Sequence, residues 1–390
     1  MINDIGISQT LKINEYCKTT NKKINKLGFG QSPFEPPDFF KMSINENIDK
    51  NDYLPVQGLE SLRESIADHY KNFHNVNISK DDLVIGPGSK LLIFQLSLIL
   101  DEIYFVSPYW VSYINQLKLI GKNYNITNTT FESKWKITLE QLREHKNNSY
   151  LFLNFPNNPT GQTYSKFELE QIVEICREKN ICIISDEIYQ YLNFNNEFTT
   201  LLELYPENTI VLNGLSKWCH SGGYRLGYII FPKSLNNIKK TFLSFSSETF
   251  SSVNTPLQYG AVSVFKNFDK ILLHNSKNIE ILKKYNNFFY EELLKLKIKV
   301  HKASGGFYLF LDFSYYKKNL LKKSIMSSED LCTKLLEDCD IALLPGNSFG
   351  IFDGYTTRLA FTDFKDLDDI DEHNINFIKK LSLWLKSLSF

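Results

Sequence analysis

Net charge is absent from this 390-residue chain: Lys and Arg number 44, and Asp and Glu also number 44. A formal charge of zero removes any whole-chain electrostatic case for nucleic acid or an anionic membrane as a partner, and leaves only a local basic pocket open. The six cysteines, Cys17, Cys176, Cys182, Cys219, Cys332 and Cys339, form no C-x-x-C pair and no cluster at zinc spacing. No metal is therefore expected, and they read as reduced thiols of a cytoplasmic protein. Long apolar runs are missing too. The most apolar stretch, "LLIFQLSLIL" at 91–100, is too short to span a bilayer and runs into Asp101-Glu102, so it reads as a buried helix. The N-terminal "MINDIGISQTLKINEYCK" has no apolar centre, which speaks against a secretory leader. Neither an internal repeat nor a Gly/Ser linker is evident.

What is present fits a folded protein. Hydrophobic residues make up 43% and charged residues 23%, and the length is enough for two domains. Six short segments read as strands: "DLVIGP", "EIYFVSP", "YLFLNFP", "ICIISDEIY", "TIVLNG" and "LGYIIFP", between residues 82 and 232. Most are unbroken apolar runs, the signature of strands covered on both faces. Between two of them, "SKFELEQIVEICREKN" has apolar residues at helical spacing, with Ser165 as N-cap and Glu168 three positions later. Strand, helix, strand in succession implies an α/β unit with a largely parallel sheet. The last third reads as a smaller α+β unit, entered through a long polar helix around "SKNIEILKKYNNFFYEELLKLK". The segment up to residue 45 reads as irregular and without a core of its own.

Ligands of parallel α/β sheets bind beyond the carboxyl ends of the strands. After "DLVI" comes Gly86-Pro87-Gly88-Ser89-Lys90, a plain turn or a phosphate cradle at a helix start. After "YFVSP" come Tyr109, Trp110 and Tyr113, which suit either core packing or stacking on a planar ring. Two prolines flank Asn158 in "PNNPTG", a loop that fixes where its amide points. Asp186 ends a buried strand, a costly place for a carboxylate unless it meets a cation or donors, and Tyr189 stands three residues on. Ser216 and Lys217 follow "TIVLNG", with Arg225 beyond a glycine-rich turn. Alone, Lys217 reads as a solvated lysine, protonated and inert, because the ordinary amine pKa is about 10.4. Together, the phosphate cradle, aromatic plate, amide, carboxylate, phenol, lysine and arginine fit one planar phosphorylated aldehyde: pyridoxal phosphate (PLP), held by a lysine Schiff base.

With those residues in hand, the chain resembles the class I/II aminotransferases of PLP fold type I, of the aspartate aminotransferase kind. The resemblance runs in order through "GFGQSPFEPP", "YLPVQGLESLRESI", "GPGSK", "SPYWVSY", "NFPNNPTG", "SDEIY", "NGLSK" with "GGYRLGY", "ASGGFYLF", "PGNSFG" and "TTRLAF". It implies a large domain over 46–275 with a mostly parallel seven-stranded sheet flanked by helices. It implies a smaller α+β domain over 276–390, and an N-terminal segment, 1–45, lying on the small domain and over the active site. Lys217 resembles the Schiff-base lysine that also moves the proton, and Asp186 the partner of the pyridinium nitrogen. Asn158 and Tyr189 resemble the donors to the ring oxygen, and Trp110 the stacking aromatic. Ser216, Arg225 and the amides around Gly88, Ser89 and Lys90 resemble the phosphate contacts. Arg358 resembles the grip on the substrate α-carboxylate, a bidentate task that suits guanidinium. Gly30 lies where the family's N-terminal segment closes over substrate. Tyr53 resembles a tyrosine given to the neighbouring subunit's phosphate, which implies a homodimer with shared sites.

The chain departs from the family pattern between Lys217 and Arg225. His220 and Ser221 stand where a small and an apolar residue are usual, and Tyr224 where tryptophan is frequent. His220 is open to reading as a second acid/base, although the lysine already does that work in the family. The expected activity is amino transfer between an L-amino acid and a 2-oxo acid by a ping-pong mechanism. The rivals are a PLP lyase or decarboxylase on the same fold and a non-catalytic effector sensor. No second arginine for a distal carboxylate can be placed from the sequence.

Overall fold

The computed structural model describes residues 9–20, 22–195, 197–364 and 367–388. A short strand, Asn25–Lys26 (β1), comes first. Seven strands then form the large sheet: Leu83–Gly86 (β2), Ile103–Ser107 (β3), Asn125–Asn128 (β4), Tyr150–Asn154 (β5), Cys182–Asp186 (β6), Thr209–Gly214 (β7) and Gly227–Ile230 (β8). Their order is β2-β8-β7-β6-β5-β3-β4, and β8 runs antiparallel to both of its neighbours. The mostly parallel seven-stranded sheet is thus the expected one. Six of the strands were readable because each carries an unbroken apolar run; every residue of β6 and β7 is buried. The missed strand, β4, lies at the sheet edge, and its sequence "NITN" is half-buried and polar.

Helices cover the sheet where the sequence places them. The apolar run at 91–100 lies in the helix Ser89–Ile99, which buries Leu92, Ile93 and Leu96. The helix Lys166–Glu178 begins on a complete capping box. The Ser165 hydroxyl accepts from the Glu168 N–H, and the Glu168 carboxylate accepts from the Ser165 N–H at 2.7 Å.

The chain continues through Lys299–Val300 (β9), Tyr308–Asp312 (β10), Ile341–Ala342 (β11), Leu344–Pro345 (β12) and Thr356–Ala360 (β13). Four of these make an antiparallel sheet in the order β12-β13-β10-β9, the centre of the smaller α+β unit. The long helix leading into it spans Phe268–Lys295, so residues 275 and 276 fall inside a helix.

The N-terminal segment differs from its expected irregularity. Gln9–Thr19 and Asp38–Glu46 are helices, and β1 pairs in parallel with β11. Cys17 and Ile24 bury themselves with Ala342. A two-residue strand has no period to read, and its partners come from the far end of the chain, so only tertiary pairing reveals it. Residues 1–8 lie outside the described residues.

One buried acid ties β6 to the layer above it. The Glu187 Oε1 accepts from the hydroxyls of Ser185 at 2.8 Å and Thr200 at 3.0 Å, and from the Leu201 N–H at 3.2 Å, which fixes the start of the helix Leu201–Leu204. Its other oxygen has no partner among the described residues. Burial pushes this carboxyl up from 4.5 to about 7, against the three donors. The folded chain therefore keeps a proton that the unfolded chain releases, so this contribution to stability is full below about 4.5 and is lost as pH rises through about 7. Glu187→Gln retains the accepting oxygen and removes the titration. The variant should gain stability relative to the parent as pH rises from about 5 to about 8, by up to a few kcal/mol, in urea melts run in parallel. Parallel stability curves across that range would contradict it.

Candidate active site

Strands β5, β6 and β7 end side by side, with Asn154 opposite Asp186 and Asp186 opposite Leu212. A cleft of about 400 Å³ opens beyond them, within the range of small-molecule sites. Its floor is Asp186, which is 4% exposed. The carboxylate accepts from the Tyr113 hydroxyl at 2.5 Å and the Ile188 N–H at 3.3 Å, while the Asp186 carbonyl accepts from the Asn154 amide at 2.9 Å. Burial raises this acid to about 6, and Tyr113, Ile188 and Lys217 act against the rise. Tyr189 packs beside it; its hydroxyl lies 3.0 Å from that of Tyr308, and burial first, then Tyr308, hold its phenol well above the ordinary value.

Lys217 comes off β7 in a turn that is braced from below. The Asn213 Oδ1 accepts from the Gly214 N–H at 2.7 Å and the Trp218 indole at 3.2 Å, and the Asn213 amide donates to Gln190 at 2.8 Å. The half-buried Lys217 reaches the cleft and donates from Nζ to the Gly30 carbonyl at 2.9 Å. Its amine also lies 5.4 Å from the Phe307 ring and 5.7 Å from the Tyr189 ring.

The end of the cleft beside Arg225 depends on two glycines. Gly88, with φ +86°, precedes the helix Ser89–Ile99, and a Cβ there would strike the Arg225 guanidinium. At Gly227 a Cβ would stand 2.6 Å from the Ser89 nitrogen and 2.8 Å from the Gly88 carbonyl carbon. Glycine at both places lets β8, Arg225 and the helix start converge. The first-turn N–H groups of that helix then have no helical partner and face a guanidinium, an arrangement suited to an anion. Arg225 itself has φ +63° and donates to the Gly222 carbonyl at 2.7 Å.

Arg358 enters from the other sheet. It sits on β13 opposite Phe310 and Leu344, and it is 2% exposed. Its guanidinium donates to the Asn158 side chain at 2.9 Å and to the Gly28 carbonyl at 2.7 Å, between the rings of Tyr308 at 4.6 Å and Phe349 at 5.0 Å. Nε has no partner among the described residues. Burial lowers this group's affinity for its proton, and Tyr308 and Tyr189 oppose that.

The structure brings together in one cleft Asp186, Tyr189, Asn158, Trp110, Ser216, Lys217, Arg225, Arg358, Gly30, Ser89 and Lys90, with Gly88 at the turn behind Arg225. Tyr53 is not among them; it lies outside the cleft and is 90% exposed. Sequence reasoning missed Tyr308, which bridges Tyr189 and Arg358, and Asn154, which positions Asp186 and accepts from the Asn158 N–H at 2.8 Å. Asn154 had a signal, a polar residue closing an apolar strand. The donor set fits pyridoxal phosphate: a buried acid for a ring nitrogen, an amine for the aldehyde, an anion cradle, and a buried guanidinium with an unused N–H.

Comparisons with known proteins agree. Residues 22–370 match the family described as Aminotransferase class I and II. An aspartate aminotransferase of Thermotoga maritima is 31% identical over 362 residues, covering 89% of this chain and 90% of the relative. A probable aspartate/prephenate aminotransferase of Aquifex aeolicus is 31% identical over 360 residues, covering 88% and 89%. The crystal structure of an aspartate aminotransferase from Thermotoga maritima superposes with a TM-score of 0.83 at 28% identity, covering 98% of each chain. The chain belongs to the class I and II aminotransferase family, and it is a pyridoxal-phosphate-dependent transaminase of fold type I.

Proposed function

We propose that this transaminase acts on dicarboxylic amino acids in a ping-pong sequence, with Lys217 and Asp186 as its catalytic pair and Arg358 and Lys90 as its two carboxylate grips. One observation carries the reading. Among the described residues, the cleft is lined by four cations, Lys90, Lys217, Arg225 and Arg358, and by one carboxylate, Asp186. Arg225 and the helix start take the cofactor phosphate, together with Ser216 and the amides at Gly88, Ser89 and Lys90. Lys217 carries the chemistry and Arg358 takes the α-carboxylate. The Lys90 ammonium, 5.6 Å from the Trp110 ring, is then left for a second carboxylate. Loss of hydration and Arg225 both weaken its hold on its proton, and a carboxylate arriving beside it would act in the opposite direction. The names of the Thermotoga and Aquifex relatives, which specify aspartate, support this substrate class.

When bound, PLP supplies an aldehyde that captures the amino group and a ring that draws electron density from Cα. Asp186 keeps a proton on the ring nitrogen; a cation placed there gives this buried acid the partner that burial otherwise denies it. Asn158 and Tyr189 would donate to the ring oxygen, and Trp110 would stack on the ring. Lys217 Nζ would take the Cα proton and carry it, which one mobile amine can do without a second base. Arg358, immobilised between the rings of Tyr308 and Phe349, would hold the α-carboxylate and so orient the bonds at Cα. The 2-oxo product leaves before the second 2-oxo acid enters. Tyr53, exposed and outside its own cleft, serves the cleft of a second copy of the chain in a homodimer. The six free cysteines suit a cytoplasmic setting.

Lys217→Ala should lower transamination by at least about a hundredfold, with cofactor binding retained through the other contacts. Lys90→Met should raise KM for aspartate by about ten- to a hundredfold, the worth of a charged hydrogen bond, and leave KM for alanine unchanged. Equal losses for the two substrates would remove Lys90 from side-chain recognition. The visible absorbance of the holoenzyme should fall on addition of aspartate alone and return with a 2-oxo acid. Release of ammonia or carbon dioxide without any 2-oxo acceptor would instead indicate the lyase or decarboxylase outcome.

A further inference from the structure

His220, the residue that departs from the family pattern beside Lys217, joins three segments that are far apart in sequence. Its backbone is left-handed, with φ +54°, and its N–H donates to the Lys217 carbonyl at 3.3 Å. That geometry turns the ring away from β7 and toward the N-terminal strap at 28–34. His220 Nδ1 lies 2.7 Å from the Ser32 hydroxyl. Nε2 lies 3.1 Å from the Asn275 Oδ1 and 2.9 Å from the Asn278 amide, both on the long helix Phe268–Lys295. The Phe34 ring meets the imidazole edge-on at 5.3 Å. The ring is 7% exposed, and burial, then His274, lower its proton affinity to about 4, so it is neutral at ordinary pH. A neutral ring carries one proton, given either to Ser32 from Nδ1 or to Asn275 from Nε2. In both tautomers the ring spans strap and helix.

We propose that His220 is a positioning residue that anchors the strap over the cleft, through Ser32, while the strap's other anchors are engaged by cofactor and substrate. The strap is otherwise held largely by the groups that do the chemistry. Arg358 donates to the Gly28 carbonyl at 2.7 Å, and Lys217 and Tyr308 donate to the Gly30 carbonyl at 2.9 and 3.4 Å. An α-carboxylate on Arg358, and reaction at the Lys217 amine, draw on those same donors. The Phe29 carbonyl keeps Thr362 at 3.2 Å, and Ser32 keeps His220. The imidazole therefore retains the strap at the stage when its central carbonyls lose their partners. This deepens the reading above and rests on the roles assigned there to Lys217 and Arg358.

The test uses the holoenzyme and two variants. Ser32→Ala removes one hydroxyl from a half-buried site. His220→Asn keeps a residue tolerant of the left-handed backbone but is too short to span both partners. Amide hydrogen exchange over residues 29–34 is measured without substrate, and kcat and KM with it. Each variant should speed exchange in that segment and raise KM for the amino acid about three- to tenfold, the worth of one hydrogen bond, with kcat unchanged. Adding Ser32→Ala to His220→Asn should then change nothing more. Unchanged exchange, faster exchange with unchanged KM, a fall in kcat in place of the rise in KM, or full additivity of the two variants would each overturn the proposal. Exchange is read without substrate, so a failed anchor is distinguishable from a wrong substrate class. Ser32→Ala carries the test if His220→Asn does not fold.

Discussion

A carboxyl group buried at the end of a covered β-strand sets the terms for the rest of the site. Asp186 cannot be solvated, so the surrounding chain must supply donors: Tyr113 from the helix after β3, the Ile188 N–H from its own turn, and Asn154 steadying its backbone from the next strand. These partners remain too few to bring the acid down to its ordinary range. The deficit is useful. Burial disfavours the bare charge of this acid, so it gains by receiving a cation, and in the role proposed for it a protonated ring nitrogen is that cation. The sheet's parallel order is what brings Asn154, Asp186 and the turn of Lys217 to a common edge.

Much of this was readable from the sequence, for a physical reason. Strands covered on both faces are uninterrupted apolar runs, and whatever polar residue ends such a run stands at the sheet's carboxyl edge. Asp186 is visible in that way, and Lys217, Asn158 and the Gly88 turn are visible in the loops that follow such runs, although Asn154, which ends one, was missed. Arg358 was legible only through the family resemblance, because β13 belongs to a different sheet and nothing local says which cleft it faces. Tyr308 escaped for the same reason. It sits among the other aromatics of a buried strand, and only the pairing of β10 with β13 brings it to the guanidinium. The two-residue β1 of the N-terminal segment was lost because its partner lies at the other end of the chain. His220 was conspicuous as a departure, but its role depends on two asparagines of a helix that it meets only in the folded chain.

The strap is an economical solution to a polarity problem. A cleft lined by four cations needs acceptors before its substrates arrive. Carbonyls of Gly28 and Gly30 provide them without fixed negative charge, so they hold Lys217 and Arg358 in place and yield to a real anion. A Cβ at Gly30 would collide with the Tyr308 hydroxyl, which explains why the strap passes so close at that residue.

Arg358 has a consequence that reaches beyond its own contacts. One guanidinium joins the loop after β5, the N-terminal strap and the central strand of the small sheet, three parts of the chain that fold from separate stretches of sequence. With Arg358 in the role proposed for it, affinity for the feature common to every amino acid is a gauge of how the two sheets are seated against each other. A change anywhere that shifts their registration, in the long connecting helix or in the packing beneath β13, is transmitted to every substrate alike. The proposed side-chain contact, Lys90, lies on the helix Ser89–Ile99 and takes no part in this join. Evolution of specificity and drift in the seating of the two units can thus proceed along separate coordinates in this fold.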